Sequence, residues 1–243
     1  LIAAPLEKII LSGDGNEQTR NNLGMIERNA NRLLELINQL LDFRKIEEDM
    51  FHFKFKRQNV VKIVEKVYKQ YYQTAKFNKL EISLEAEKND IECNVDSEAI
   101  YKIVSNLIAN AIKYAKSQIL ITVKERSGNL EIKIKDDGTG IEKQYMEKIF
   151  EPFFQIQDKN NAVRTGSGLG LSLSQSLAMK HNGKISIESE YGKNCNFTLT
   201  IPIADGTEEE VQETEAAIPE KSEMPEQSVV EAGTRIIIVE DNT

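Results

Sequence analysis

Asn106-Leu-Ile-Ala-Asn110-Ala-Ile-Lys113-Tyr114 is the stretch on which the fold and the site both depend. Within a helix, steps of three and four residues place the four numbered side chains on one face. An asparagine oxygen can ligate Mg²⁺ without adding charge, and a lysine one turn further on can meet phosphates. The block therefore suits a nucleotide site, although a polar helix face exposed to water has the same pattern.

A second block, Asp136-Asp137-Gly138-Thr139-Gly140, follows a strand whose even positions are apolar up to Ile134. Asp136 is in phase with this buried set, so its carboxylate points inward and needs a hydrogen-bond donor. The amino group of adenine is a suitable donor, and the glycines let the backbone pass close to a base. An ordinary Asp-Gly turn is the alternative for this block taken alone.

The third block, Gly166-Ser167-Gly168-Leu169-Gly170-Leu171, opens a predicted helix from Gly170 to Lys180. Backbone N–H groups at a helix N-terminus bind phosphate when glycine leaves them accessible. The block does not follow a strand and lacks the Lys-Ser/Thr ending of a P-loop, which argues against both common nucleotide-binding loops.

Together with Phe150-Glu-Pro-Phe-Phe154, these blocks occur in the order found in sensor histidine kinases, and the chain resembles that family. The family shares a superfamily with DNA gyrase, mismatch-repair and heat-shock chaperone ATPases. The resemblance implies an α+β fold: a helical dimerisation hairpin, half of a dimeric four-helix bundle, followed by an α/β sandwich.

The resemblance also implies the site. Asp136 would recognise adenine, Asn106 and Asn110 would serve Mg²⁺ and phosphates, and Thr198 would help to hold Asp136. A mobile lid would run from about Gln155 to Ser167. The predicted ATP-binding residues are Asn106, Asn110, Lys113, Tyr114, Asp136, Gly138, Gly140, Ile141, Phe154, Gly166, Ser167, Gly168, Leu169, Gly170, Leu171 and Thr198.

The remaining elements of the sandwich follow from apolar periodicity. We expect a short linking strand at Phe51–Lys56 and mixed, mainly antiparallel strands in the sheet. The other predicted elements are helices at Asn59–Lys76 and Ser97–Ala115 and strands at 80–84, 91–95, 119–123, 130–135, 185–189 and 197–203.

The residues before position 50 carry a heptad-like apolar pattern from Leu23 to Leu40, preceded by a shorter helix at Ile2–Leu11. Two such helices cannot cover each other's apolar faces, so we expect a homodimeric four-helix bundle. An intramolecular hairpin packed on the next domain is the alternative. The segment resembles the family's dimerisation and histidine-phosphotransfer domain, with an incomplete first helix and with the phosphoacceptor histidine before Leu1.

The C-terminal part changes character. Between Asp205 and Glu231 there are ten acidic residues and one lysine, with Pro219 and Pro225 and no aromatic residue, which predicts a flexible linker. Ile236–Asp241 then resembles the first strand of a receiver domain, as in a hybrid sensor; a tail strand on the sheet edge is the alternative. The predicted domains are 1–50, the linker strand 51–58, the catalytic domain 59–204, the acidic linker 205–233 and the receiver strand 234–243.

Composition excludes several classes of protein. No apolar run reaches the length of a membrane span. The net charge is −8, and because the acidic linker accounts for about −9, the rest of the chain carries about +1. No basic nucleic-acid surface is therefore indicated. Cys93 and Cys195 have no metal-ligand spacing and suit the reduced, cytoplasmic part of a sensor that is anchored in a membrane elsewhere. His52 and His181 lie outside any phosphoacceptor motif, and we interpret both as structural.

Rival functions remain within and beyond the superfamily. Its hydrolysing ATPases place a glutamate general base where Asn106 stands, and a carboxamide cannot accept that proton. Serine kinases of the anti-sigma type lack a dimeric helical stalk. A nucleotide-binding scaffold without kinase activity is the alternative from a different class. The sequence thus favours a histidine kinase core that binds Mg-ATP and transfers the γ-phosphoryl group to a histidine on the dimerisation helix. From there the phosphoryl group would pass to a receiver aspartate.

Overall fold

The computed structural model describes residues 17–48, 50–156 and 167–203. All of them belong to the first of two compact units, Leu1–Thr207. The predicted helix Ile2–Leu11, the acidic linker and the predicted strand Ile236–Asp241 lie outside the described residues.

Four helices and seven strands make up this part of the chain. The helices are α1 (Glu17–Glu47), α2 (Val60–Phe77), α3 (Ser97–Tyr114) and α4 (Gly170–Lys180). The strands are β1 (Lys56–Asn59), β2 (Glu81–Ala86), β3 (Glu92–Val95), β4 (Gln118–Arg126), β5 (Asn129–Asp136), β6 (Lys184–Glu190) and β7 (Asn194–Pro202). Their order confirms the predicted α+β class.

The main sheet has five strands in the order β2-β4-β5-β7-β6. β2 and β4 are parallel and every other neighbouring pair is antiparallel, as the sequence predicts. The β4–β5 hairpin turns at Ser127 and Gly128, which both have positive φ angles, the geometry of a tight two-residue turn. β1 and β3 form a separate antiparallel pair.

The core lies between one face of this sheet and the helices. Every second residue of β4, β5 and β7 is buried, and α3 packs Ile103, Leu107 and Ile108 into the same cluster. Burial of apolar surface on this scale is the main favourable contribution to folding. Because α3 lies between α2 and α4, its two flanks are available to hold polar side chains at the rim of the core.

The predicted linking strand at Phe51–Lys56 is wrong in position, because the strand begins at Lys56 and ends at Asn59. Phe51 and Phe53 pack against the core instead. Between them and β1, Lys54 N donates to Oδ2 of Asp96, the residue before α3, at 2.7 Å. The alternation of aromatic and polar residues from Phe51 to Lys56 therefore arises because one side of the segment is buried, and not because the segment pairs as a strand.

Helix α1 has an apolar stripe, which consists of Met25, Ile26, Leu33, Leu34, Ile37, Leu40 and Leu41. These side chains are between 42% and 58% exposed in the single chain. The last part of the helix packs on the sandwich, where Ile46 is buried and the Lys102 ammonium lies 2.6 Å from Asp42 Oδ2. Among the described residues, none of the helices has the length and hydropathy that a membrane span requires.

Candidate functional site

Helix α3 holds the asparagine block at the rim of the core. The helix begins after Asp96, whose Oδ1 accepts from Glu98 N and Ala99 N at 2.9 Å each. Asn106 and Asn110 are half-buried on its flank, while Lys113 and Tyr114 are exposed in its last turn. The Lys113 ammonium lies 4.6 Å from the centre of the Tyr114 ring. The helix thus lines one side of the site with two carboxamides, a cation and an aromatic ring.

The N-terminus of α4 lies directly against Asn106. A β-carbon built on Gly170 would be 2.2 Å from Asn106 Oδ1, so no other residue fits at this position without a shift. Across the same contact, Asn106 Nδ2 donates to Ser174 Oγ at 2.9 Å. The free backbone N–H groups of the first turn of α4 therefore share a site with the Asn106 amide.

The Asp136 carboxylate is buried at the end of β5, as the alternation of that strand predicts, with only 3% of the residue exposed. Its Oδ1 accepts from Gly138 N at 2.9 Å. Burial raises the pKa of Asp136 to about 6, the charge of Asp137 also raises it, and the bond from Gly138 opposes the shift. A buried carboxylate with such a pKa marks a candidate binding group.

The loop after Asp136 connects this carboxylate to α3 and to the β6–β7 hairpin. A β-carbon on Gly138 would lie 2.3 Å from Tyr114 O, so α3 and the loop are in direct contact. Ile141, which is half-buried, donates its N–H to Ser189 Oγ at 2.8 Å, and Ser189 Oγ in turn donates to Asn194 O at 2.7 Å. The loop that carries Gly138, Gly140 and Ile141 is therefore anchored on both sides.

Asp137 points away from Asp136 and holds the start of β4. Its carboxylate accepts from Lys116 N and Gln118 N, and from the N–H and hydroxyl of Ser117, at 2.5–3.1 Å. Although burial acts to raise the pKa of Asp137, these hydrogen bonds hold it well below its usual range. The two adjacent carboxyls thus have opposite pKa shifts, and of the two only Asp136 has a pKa that is raised toward 7.

The Phe150–Phe154 segment contacts the residue that follows the predicted lid. Phe153 N donates to Gly168 O at 2.9 Å, which brings the two ends of the predicted lid together. Phe154 is half-buried with its ring 6.0 Å from that of Tyr145, and Leu169 is buried. Leu171 packs against the core cluster. Gly166 and the lid residues 157–166 lie outside the described residues.

Ser167 links the site to α1. Its hydroxyl donates to Gln39 Oε1 at 2.7 Å and accepts from Leu169 N at 3.1 Å. The end of the predicted lid is thus bonded to the helix that carries the apolar stripe.

The predicted role of Thr198 is wrong. In the β5–β7 register Thr198 lies opposite Lys133, whereas Cys195 lies opposite Asp136. Because side chains alternate along a strand, Thr198 is on the other face of the sheet from Asp136. Cys195 is a buried free thiol, and burial together with the charge of Asp136 raises its pKa to about 12.

The structure supports the interpretation of His181 as a structural residue. Its Nδ1 lies 2.8 Å from Leu177 O at the end of α4, and its Nε2 accepts from Asp96 N at 3.1 Å. Burial lowers the pKa of His181, and since Nε2 accepts a hydrogen bond the ring is neutral. Both ring nitrogens are occupied, while His52 is exposed on the linker.

The donor set fits magnesium held jointly with phosphate. In the described residues no group of three or more His, Cys, Asp or Glu side chains could hold a metal alone. Asn106 and Asn110 offer neutral oxygens, which suit a hard cation whose remaining charge is balanced by a phosphorylated ligand.

The chain is similar in sequence to known proteins. The profile described as histidine kinase-, DNA gyrase B- and HSP90-like ATPase matches residues 95–205. Histidine kinase P4 of Formosa agariphila is 32% identical over 211 residues, which are 85% of this chain and 15% of that protein. Hybrid signal transduction histidine kinase D of Dictyostelium discoideum is 25% identical over 93% of this chain and 15% of its own length.

A solved structure shares the fold. Acinetobacter baumannii histidine kinase AdeS aligns with a TM-score of 0.64 at 23% identity, over 84% of this chain and 94% of that one. The chain spans 15% of the length of each of the two curated relatives named above. It spans 40% of the length of a third, sensor histidine kinase RppB of Synechocystis.

Proposed function

We propose that this chain, which carries the catalytic domain of a sensor histidine kinase, binds Mg-ATP and serves a protein-histidine kinase reaction in its parent protein. The observation that supports this proposal most strongly is the contact between Asn106 and Gly170. In this contact a carboxamide oxygen lies next to the N-terminus of a helix that begins with glycine.

Each group then has a defined task. Asp136 accepts a hydrogen bond from the adenine amino group, and the Gly138–Ile141 loop packs beside the base. The N-terminus of α4 and Lys113 bind phosphate oxygens. Mg²⁺, held by Asn106 and Asn110 together with the phosphates, would neutralise charge on the phosphate chain.

Transfer is favoured over hydrolysis by the chemistry at position 106. A hydrolysing enzyme needs a base that takes a proton from water, and the Asn106 amide, already donating to Ser174, has no such capacity. The nucleophile must therefore come from another group. A neutral histidine imidazole is nucleophilic near pH 7, and we assign the acceptor histidine to a part of the parent protein beyond these 243 residues.

Two further parts of the proposal concern assembly. The exposed apolar stripe of α1 supports a homodimer in which two copies bury this stripe together.

A receiver aspartate is the next phosphoryl acceptor. Two observations support this: Ile236–Asp241 resembles a receiver strand, and the Dictyostelium relative is named a hybrid kinase.

The affinity for ATP should depend on pH through Asp136. The ionised carboxylate is the stronger acceptor for the adenine amino group, and its pKa in the free protein is about 6. Affinity should therefore be constant well above pH 6 and fall as the pH drops through this value, by up to about tenfold between pH 7 and pH 5. Calorimetry of the wild type and of Asp136→Asn over this range separates the effect from titration of the phosphates, which both proteins share. A wild-type-to-variant ratio that does not change with pH would contradict the assignment.

This chain should not phosphorylate itself. His181 has both ring nitrogens occupied, and His52 lies on the linker outside any acceptor motif. Incubation with γ-³²P-ATP should leave the chain unlabelled, while the full-length parent should gain an acid-labile phosphoryl group. Acid-labile label that is lost in His52→Gln or His181→Gln would overturn the assignment of the acceptor. An unlabelled parent would count against the kinase proposal itself.

A further inference from the structure

Ser174 is a buried hydroxyl on the face of α4 that packs into the core. The residue is 2% exposed, and its helix neighbours Leu173, Leu177 and Ala178 all pack into the core. A buried hydroxyl is unfavourable unless it is hydrogen-bonded. Its oxygen accepts from Asn106 Nδ2, at 2.9 Å on the neighbouring helix. The Ser174 hydroxyl is thus a buried polar group that contacts the Asn106 side chain of the site.

The bond to Ser174 anchors the Asn106 amide in its present orientation. With Nδ2 directed to Ser174, Oδ1 is the atom nearest to Gly170: a β-carbon there would be 2.2 Å from Oδ1 and 3.1 Å from Nδ2. A rotation of the amide by 180° would exchange these atoms. It would present an N–H₂ donor, which repels a cation, where the structure places an oxygen.

We propose that Ser174 is a positioning residue that holds the Asn106 side-chain oxygen toward the metal-bound phosphates. The inference rests on the proposed function, because it assigns Asn106 Oδ1 to Mg-ATP. Ser174 itself touches neither nucleotide nor metal and acts through the orientation of the amide. Without its hydroxyl, the amide loses the partner that anchors it, and in part of the population Oδ1 turns away from the site.

Calorimetric titration with ATP, once with Mg²⁺ and once with EDTA, tests this role. Ser174→Ala should weaken binding about three- to tenfold with Mg²⁺, the loss of one hydrogen bond to a polar partner, and should leave binding in EDTA within about twofold. In an Asn106→Ala background the same substitution should have no further effect, since the group through which Ser174 acts is gone.

Ser172→Ala is the matched control. Ser172 is also a buried serine of α4, but its hydroxyl donates to Leu169 O at 2.9 Å. This variant should keep the wild-type ratio of affinities with and without Mg²⁺. If Ser174→Ala does not fold, Ser174→Cys, with a weaker acceptor of similar size, should show an intermediate loss that is confined to Mg²⁺.

The outcomes separate the inference from the proposed function. Equal losses with and without Mg²⁺, or a loss that persists in the Asn106→Ala background, would show a merely structural role and overturn the inference. An unchanged Ser174→Ala affinity beside a wild type that binds Mg-ATP more tightly than ATP would also overturn the inference alone. A wild type that binds no ATP would overturn both.

Discussion

Asp136→Asn is expected to weaken ATP binding by about five- to 150-fold. The substitution replaces an acceptor with an amide whose N–H₂ group can face the adenine amino group, and a mismatch of this kind costs about 1–3 kcal/mol. Calorimetry should show the loss directly. The preference for ATP over GTP should also shrink, because the only base-specific group assigned to the site has changed.

Asp90→Asn is the control for this substitution. Asp90 is exposed on the connection before β3, so the same chemical change there should leave affinity for ATP unchanged. Wild-type affinity in Asp136→Asn would remove the carboxylate from the adenine site, whatever the other motifs do.

Leu33→Glu combined with Ile37→Glu is expected to convert the proposed dimer to a monomer. These two side chains lie in the middle of the apolar stripe of α1, 58% and 44% exposed in the single chain. A dimer that buries them would have to bury four unpaired carboxylates, which costs several kcal/mol and weakens association at least about a hundredfold. Light scattering over a range of concentrations measures the change.

The monomer should still bind ATP, because the stripe is separate from Asn106 and Asp136. Asn31→Glu with Asn38→Glu adds the same charge at exposed positions outside the stripe and should leave the dimer intact. A wild type that stays monomeric at high concentration would instead favour the intramolecular hairpin.

The predictions that held depend on local periodicity. The apolar phase of β5 places Asp136 in the core, and the helical spacing of Asn106 and Asn110 places both on one flank of α3. In each case the period of the element determines the direction of the side chain, so no tertiary information is needed.

The features that the sequence missed depend on contacts between elements. Cys195 lies beside Asp136 only because β5 and β7 pair in one particular register, and the resemblance alone pointed to Thr198. A one-residue difference in register exchanges the faces of a strand, so alternation along β7 could have excluded Thr198 only once a partner for Asp136 was known.

Ser174 and Ser189 were missed for a similar reason. Each reads as an ordinary serine in a helix or strand, and its role appears only when α4 meets α3 or when β6 meets the Gly138–Ile141 loop. The one signal in the sequence was a serine four residues after Gly170, on the helix face that also carries Leu177 and Ala178.

Titration of the wild-type chain with ATP in the presence and absence of Mg²⁺ tests the central claim most directly. The joint site of Asn106, Gly170 and Asp136 predicts one nucleotide per chain, tighter binding with Mg²⁺ than with EDTA, and negligible release of inorganic phosphate during the experiment. No heat of binding, an affinity that does not depend on Mg²⁺, or steady ATP hydrolysis by the wild type would contradict it.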